Sequence, residues 1–123
     1  MHPRVVPVKT TGSAGVAAGS ADAYAVTGQL LDSVALDYAG TAPATTVVTI
    51  SFPDMPGTPN VVYPASNTDK VWRPRVPVQL ASAPTADLSG RAEEKLLVYG
   101  RVNVAAASSD ALDPAVTARL YFA

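Results

Sequence analysis

Three features of this 123-residue chain predict an all-β fold, an antiparallel β-sandwich or jelly-roll-like barrel. Apolar and polar residues alternate along several stretches, the period of a half-buried strand. β-branched and aromatic residues fill those stretches, which suits a pleated surface, and Pro, Gly, Asn and Asp cluster between them as turn formers. No segment carries a convincing helical stripe. The best helix candidate, "TADLSGRAEEKLL", has Gly90 in its middle, which limits it to a turn or two.

The elements follow in order. Residues 1–22 read as a flexible N-terminal arm, because Pro3 and Pro7 oppose helix and glycines and serines follow Thr10. Residues 23–123 read as the sandwich domain. In "YAVTGQL" Tyr24, Val26 and Leu30 share one side. In "SVALDYAG" Val34, Leu36 and Tyr38 do the same, with a bend at Leu31 and Asp32 separating two strands. "TTVVTISF" turns Val48, Ile50 and Phe52 one way, the loop "PDMPGTPN" ends it, and "NVVYPA" is a short strand. "VWRPRVPVQL" puts Trp72, Pro74, Val76, Val78 and Leu80 opposite Val71, Arg73, Arg75 and Pro77. Its prolines cannot donate to a ladder and argue for an edge or irregular strand. After the polar connection "ASAPTADLSGRAEE", "KLLVYGRVNVAA" alternates through Leu96, Val98, Val102 and Val104. "SSDALDP" is a turn, and "AVTARLYFA" closes the chain as an interior strand with Val116, Ala118, Leu120 and Phe122 on one face. The tally is about seven strands, at the short spacing typical of a sandwich or barrel.

Composition limits the function. One domain of this length buries a core without a metal or disulfide. Nine basic and ten acidic residues give a formal charge of −1, which removes the electrostatic footprint of general nucleic-acid binding. The absence of cysteine excludes disulfides, thiolate metal sites and cysteine nucleophiles. No apolar run reaches the roughly 18 residues of a membrane helix. The N-terminal stretch lacks the unbroken apolar segment of a signal peptide, since Pro7, Lys9, Gly12 and Gly15 interrupt it.

The candidate chemical sites are thin. "TTGSAGVAAGS" lacks the Lys-Ser/Thr ending of a phosphate loop. His2, the only histidine, sits at the end of the arm, where a catalytic base has nothing to hold it. Asp110 and Asp113 lack calcium-loop spacing and suit a turn, and the adjacent Glu93 and Glu94 face opposite sides of a strand and cannot flank one bond. Asp54 and Asp87 fall in loops, where aspartate is commonplace. The reading is therefore a non-enzymatic protein with no cofactor. The strongest feature is "NTDKVWRPRVPV", with the single tryptophan among cations. Trp72 reads as a core or interface residue. The alternative is a sugar-stacking platform assisted by Asn67, Asp69 and Arg75. Arg73 and Arg75 read as interface arginines, whose forks suit carboxylates of a neighbouring subunit.

The order "GQLLDSVALDYAGTAPATTVVTISFPDMPG", "NTDKVWRPRVPV", "KLLVYGRVNVAAASSDALDPAVTARLYFA" resembles small virion structural proteins from the head regions of tailed bacteriophages. The likeness runs from about Tyr24 to Ala123, through a "G-x-L...V-x-Y" strand pair, an "A-x-T-T-x-V-T-I" strand, an "N-T-D...W-x-P-R" segment and a terminal alternating strand. By matching position the third motif is Asn67, Thr68, Asp69, Trp72, Pro74 and Arg75.

That resemblance implies a decoration or cement protein on the outer surface of the phage head, a homo-oligomer, chiefly a trimer, bound to the major capsid protein. No specific nucleic acid or membrane is expected as a partner. The expected contact residues are Arg4, Val5, Val6 and Lys9 of the arm with Asn67, Asp69, Trp72, Arg73 and Arg75. Two alternatives stand beside it: a carbohydrate-binding β-sandwich module, and a head-tail or tail structural subunit that forms rings.

Overall fold

The alternating stretches form eight strands in the computed structural model, which describes residues 3–55, 57–58, 60–77 and 93–123. They are β1 (Arg4–Val8), β2 (Ala17–Tyr38), β3 (Val47–Ser51), β4 (Val61–Tyr63), β5 (Lys70–Trp72), β6 (Arg75–Pro77), β7 (Glu93–Ser109) and β8 (Val116–Phe122). All pairings are antiparallel, and there is no helix among the described residues. The result is one open, sandwich-like sheet in the order β1-β8-β2-β7-β3-β4, with β5 added to β2 and β6 to β7. Val78, Leu80 and most of the candidate helical segment lie outside the described residues, and its last residues, from Glu93, open β7.

The sheet curls around one core. Two strands, β8 and β2, separate β1 from β7 in the order, yet the two are in contact, which requires the sheet to fold over. Val6 and Val8 of β1, Leu31, Val34 and Leu36 of β2, Val48 and Ile50 of β3, Val98, Val102 and Val104 of β7 and Val116, Ala118 and Leu120 of β8 fill the interior. Each fully buried Val or Leu contributes about 1.5–3 kcal/mol of transfer free energy. The predicted inward faces of β3, β7 and β8 are the observed ones, and β8 is interior, between β1 and β2.

Two expectations need correction. The stretch 1–22 is not an arm from Arg4 onward. β1 pairs with β8 along its whole length, from Arg4↔Leu120 to Val8↔Val116. Alternation in "RVVPV" buries Val6 and Val8, and Pro7 is tolerated because β1 is an edge. The glycine-rich segment is a built turn. Thr11 bridges Ala18, and Gly12 and Gly15 take positive φ, a conformation glycine adopts without a Cβ penalty. The buried Thr10 hydroxyl donates to Asp110 O at 2.5 Å and accepts from Leu112 N at 3.0 Å, and Asp110 Oδ1 accepts from Gly15 N at 2.9 Å. Asp110 is thus a clasp between the β1–β2 turn and the end of β7.

The second correction concerns β2, expected as two strands with Tyr24 and Leu30 inward. It is one strand of 22 residues, and both side chains face outward. Two register shifts separate Tyr24 from the inward-facing Val34, Leu36 and Tyr38. One lies between Ala25 and Gln29 against β7, the other between Leu31 and Ser33 against β8. The first adds two residues to β2 and keeps the pleat, so Tyr24 and Leu30 both face outward; the second adds one and inverts it, so the inward positions change from odd-numbered Leu31 to even-numbered Val34, Leu36 and Tyr38. Asp32 sits within the second shift, where the sequence suggested a bend.

Candidate functional site

The tryptophan segment occupies a fork. The β2–β7 ladder ends at Leu31↔Leu96. Beyond that point β2 pairs Val34–Leu36 with Trp72–Lys70 of β5, and β7 pairs Lys95–Glu93 with Arg75–Pro77 of β6. The predicted single strand is therefore two short ones, broken at Arg73 and the buried Pro74, each attached to a different branch. A proline has no N–H to give, which fits the break between two ladders.

Asp32 holds the fork together. Its carboxylate receives Arg75 Nη2 at 3.1 Å and lies 3.5 Å from Lys95 Nζ. Arg75 Nη1 also donates to the carbonyls of Asp32 and Pro74, both at 2.8 Å. Arg75, expected at a subunit interface, is thus committed inside its own chain. Asn67 and Asp69 are committed too: Asn67 Nδ2 donates to Ala42 O at 3.0 Å, and Asp69 Oδ1 accepts Tyr38 N at 2.9 Å. These bonds fix the approach to β5.

Trp72 is presented by this framework. Its ring meets Tyr63 edge-on, with centroids 5.1 Å apart and planes at 86°. Such a pair adds about 0.5–1.5 kcal/mol beyond burial. Tyr63 is buried while Trp72 keeps 43% of its surface exposed, so the tryptophan is not a core residue. It stands between two concavities. One, of about 480 Å³, is lined by Val62, Tyr63, Pro64, Lys70, Val71 and Trp72. The other, of about 110 Å³, includes Asn60, Val61, Pro74, Arg75 and Leu96. Val62 and Val71 are 54% and 69% exposed, and Arg73 is exposed beside them.

The Tyr63 hydroxyl and that of Tyr38 are buried with no hydrogen-bond partner among the described residues. Burial pushes both phenols above their ordinary range. Tyr38 adds to the effect at Tyr63, and Asp69 adds to it at Tyr38.

The remaining predicted contact residues sit on β1 or just after it. Val5 and Lys9 are exposed, Val6 belongs to the core, and the Arg4 guanidinium lies 6.0 Å from the Phe122 ring centroid. β1 and the fork are separate sites. No ladder joins β1 to β5 or β6, and β8 and β2 stand between β1 and β5.

A second surface was not anticipated. On the outer face of the β2–β7 ribbon Leu30 faces Leu97 across the ladder, Tyr99 follows on the same face, and Tyr24 lies opposite Arg101. This exposed apolar belt ends in charge on both sides. At one end are Asp32, Arg75 and Lys95. At the other, Asp54 Oδ1 accepts from Arg101 Nη2 at 3.1 Å and Oδ2 from Arg101 N at 2.8 Å. Those bonds hold the Asp54 carboxyl below its usual range. The outward alternation of Leu97 and Tyr99 was legible in "KLLVYG", but the register that joins them to Leu30 depends on the bulges.

No group of three or more metal-binding side chains occurs among the described residues. No protein-family model matches the chain, and no curated protein or solved structure matches it significantly.

Proposed function

We propose that this chain is a virion structural protein that decorates or cements the head of a tailed bacteriophage, self-associating and binding the major capsid protein. The observation that carries the reading is the outer belt of Tyr24, Leu30, Leu97 and Tyr99, an apolar centre bounded by the Asp54–Arg101 and Asp32–Arg75–Lys95 clusters. An apolar centre with a charged rim is the anatomy of a protein interface, and tyrosine is among the residues enriched there. The motif order of the sequence supplies the virion context. Such a protein needs a stiff sheet and many weak contacts that lattice symmetry multiplies.

The test is the native mass of the full-length protein by light scattering, followed by sedimentation with expanded heads. A trimer that sediments with heads is expected, and Leu97→Glu with Tyr99→Glu should reduce it to monomer while the far-ultraviolet circular dichroism stays unchanged. A monomer that ignores heads overturns the reading, and a ring of six or more subunits moves the protein to the head-tail axis.

The exposure of Trp72 beside a groove favours a second reading, a carbohydrate-binding module. Against it, Asn67, Asp69 and Arg75, which were to bind hydroxyls, already have partners within the chain.

A further inference from the structure

We infer that the groove between β4 and β5 is a docking slot for an extended, acidic segment of a partner chain, which would add to the sheet as a strand. β4 pairs only with β3 and β5 only with β2, so each has one edge without a ladder among the described residues. Three consecutive residues from each neighbourhood, Val62 to Pro64 and Lys70 to Trp72, line the groove. No backbone hydrogen bond crosses it among the described residues. Unpaired strand edges are templates for another strand, because their N–H and C=O groups are already aligned.

The side chains add the second half of the argument. Val62 and Val71 are exposed on the outer face of their strands and Trp72 on the opposite face beside Tyr63, so both faces of an incoming strand find apolar contacts. Such a surface explains why Trp72 is held by Tyr63 and left open to solvent. Charge then selects the occupant. Lys70 lines the groove and Arg73 is exposed next to Trp72, and neither has an ion-pair partner among the described residues. The nearest carboxylate in sequence, Asp69, is bonded to Tyr38 N. An acidic strand meets Lys70 in the groove and Arg73 beside it, while a basic one meets like charge. The inference is independent of the virion reading, since it concerns any partner that presents such a segment.

Trp72 is the sole tryptophan, so its fluorescence reports the groove alone. The probe is a capped peptide of about eight residues alternating valine and glutamate, a typical strand length. Comparison peptides replace glutamate by lysine, or carry N-methyl groups that block main-chain pairing. The acidic peptide should shift the emission saturably, the lysine peptide should bind about ten-fold or more weaker, and the N-methylated one should be silent, because main-chain bonds carry the affinity in strand addition. In Lys70→Glu with Arg73→Glu the preference between the two charged peptides should reverse. Equal binding of acidic and basic peptides overturns the charge assignment, and undiminished binding of the N-methylated peptide overturns strand addition. No response to the acidic peptide, or a response to a neutral oligosaccharide in its place, overturns the inference as a whole. A monomeric protein that fails to bind heads but passes this test sinks the virion reading and leaves the slot standing.

Discussion

Gly100 shows how far a single residue's role lies from anything its sequence context reveals. It takes a φ of 77° in mid-strand, and a Cβ built there would come within 2.6 Å of the Asp54 side chain. Gly100→Ala should therefore destabilise by about 1–3 kcal/mol in urea unfolding, through backbone strain and displacement of the Asp54–Arg101 clasp. In the sequence this glycine is a gap in "LVYGRV", and nothing local names Asp54 as its neighbour. Tyr63 and Tyr38 carry a second consequence. Both phenols are raised above the ordinary value of 10.0 in the folded protein. Below about pH 10 folded and unfolded chains hold the same protons at these sites, so stability there does not depend on them. Above it the unfolded chain releases protons that the folded one retains, and stability falls as pH rises. Tyr63→Phe should leave thermal stability at pH 7 almost unchanged, because the buried hydroxyl has no hydrogen-bond partner among the described residues, and should flatten the alkaline loss. A Tm series from pH 7 to about pH 11 checks both parts.

At the scale of elements, β1 changes what truncation does. Removing residues 1–20 takes Val6 and Val8 out of the core and strips β8 of its neighbour on one side. Two buried valines alone represent about 3–6 kcal/mol, a large share of a small domain's stability. The truncated protein should be largely unfolded or aggregated by size exclusion and circular dichroism; an intact, soluble sheet would refute the structural role of β1. The period-2 pattern of "RVVPV" was visible, but prolines and a glycine-rich sequel outweighed it, and only the pairing with β8 decides the matter. β3, β7 and β8 were readable because their alternation runs without interruption over one buried face. β2 was not, since the bulge between Leu31 and Ser33 inverts the pleat and a bulge has no sequence signature as firm as a turn's. The tryptophan segment was half legible: its prolines signalled irregularity, while the division between two branches of the fork depends on Asp32, some forty residues upstream.

For the whole molecule, all-β character followed from composition and periodicity, because both are sums over many residues and tolerate local errors. The exposed surfaces did not, for which face a strand shows to solvent is set by its neighbours. The outer belt and the β4–β5 groove consequently emerge only from pairing, as two exposed surfaces on one sheet. The connectivity imposes an order in time as well. β1 (Arg4–Val8) leaves a ribosome before the other described strands, yet among the described residues its only ladder is with β8 (Val116–Phe122), which follows all of them. Until β8 arrives, Val6 and Val8 have no strand to pair with, and contacts between such distant segments form slowly because the loop between them must close first. The nascent chain therefore carries an unpaired apolar strand until β8 has emerged, so β1 can join the sheet only then, and partners that sequester exposed strands have that whole interval in which to act.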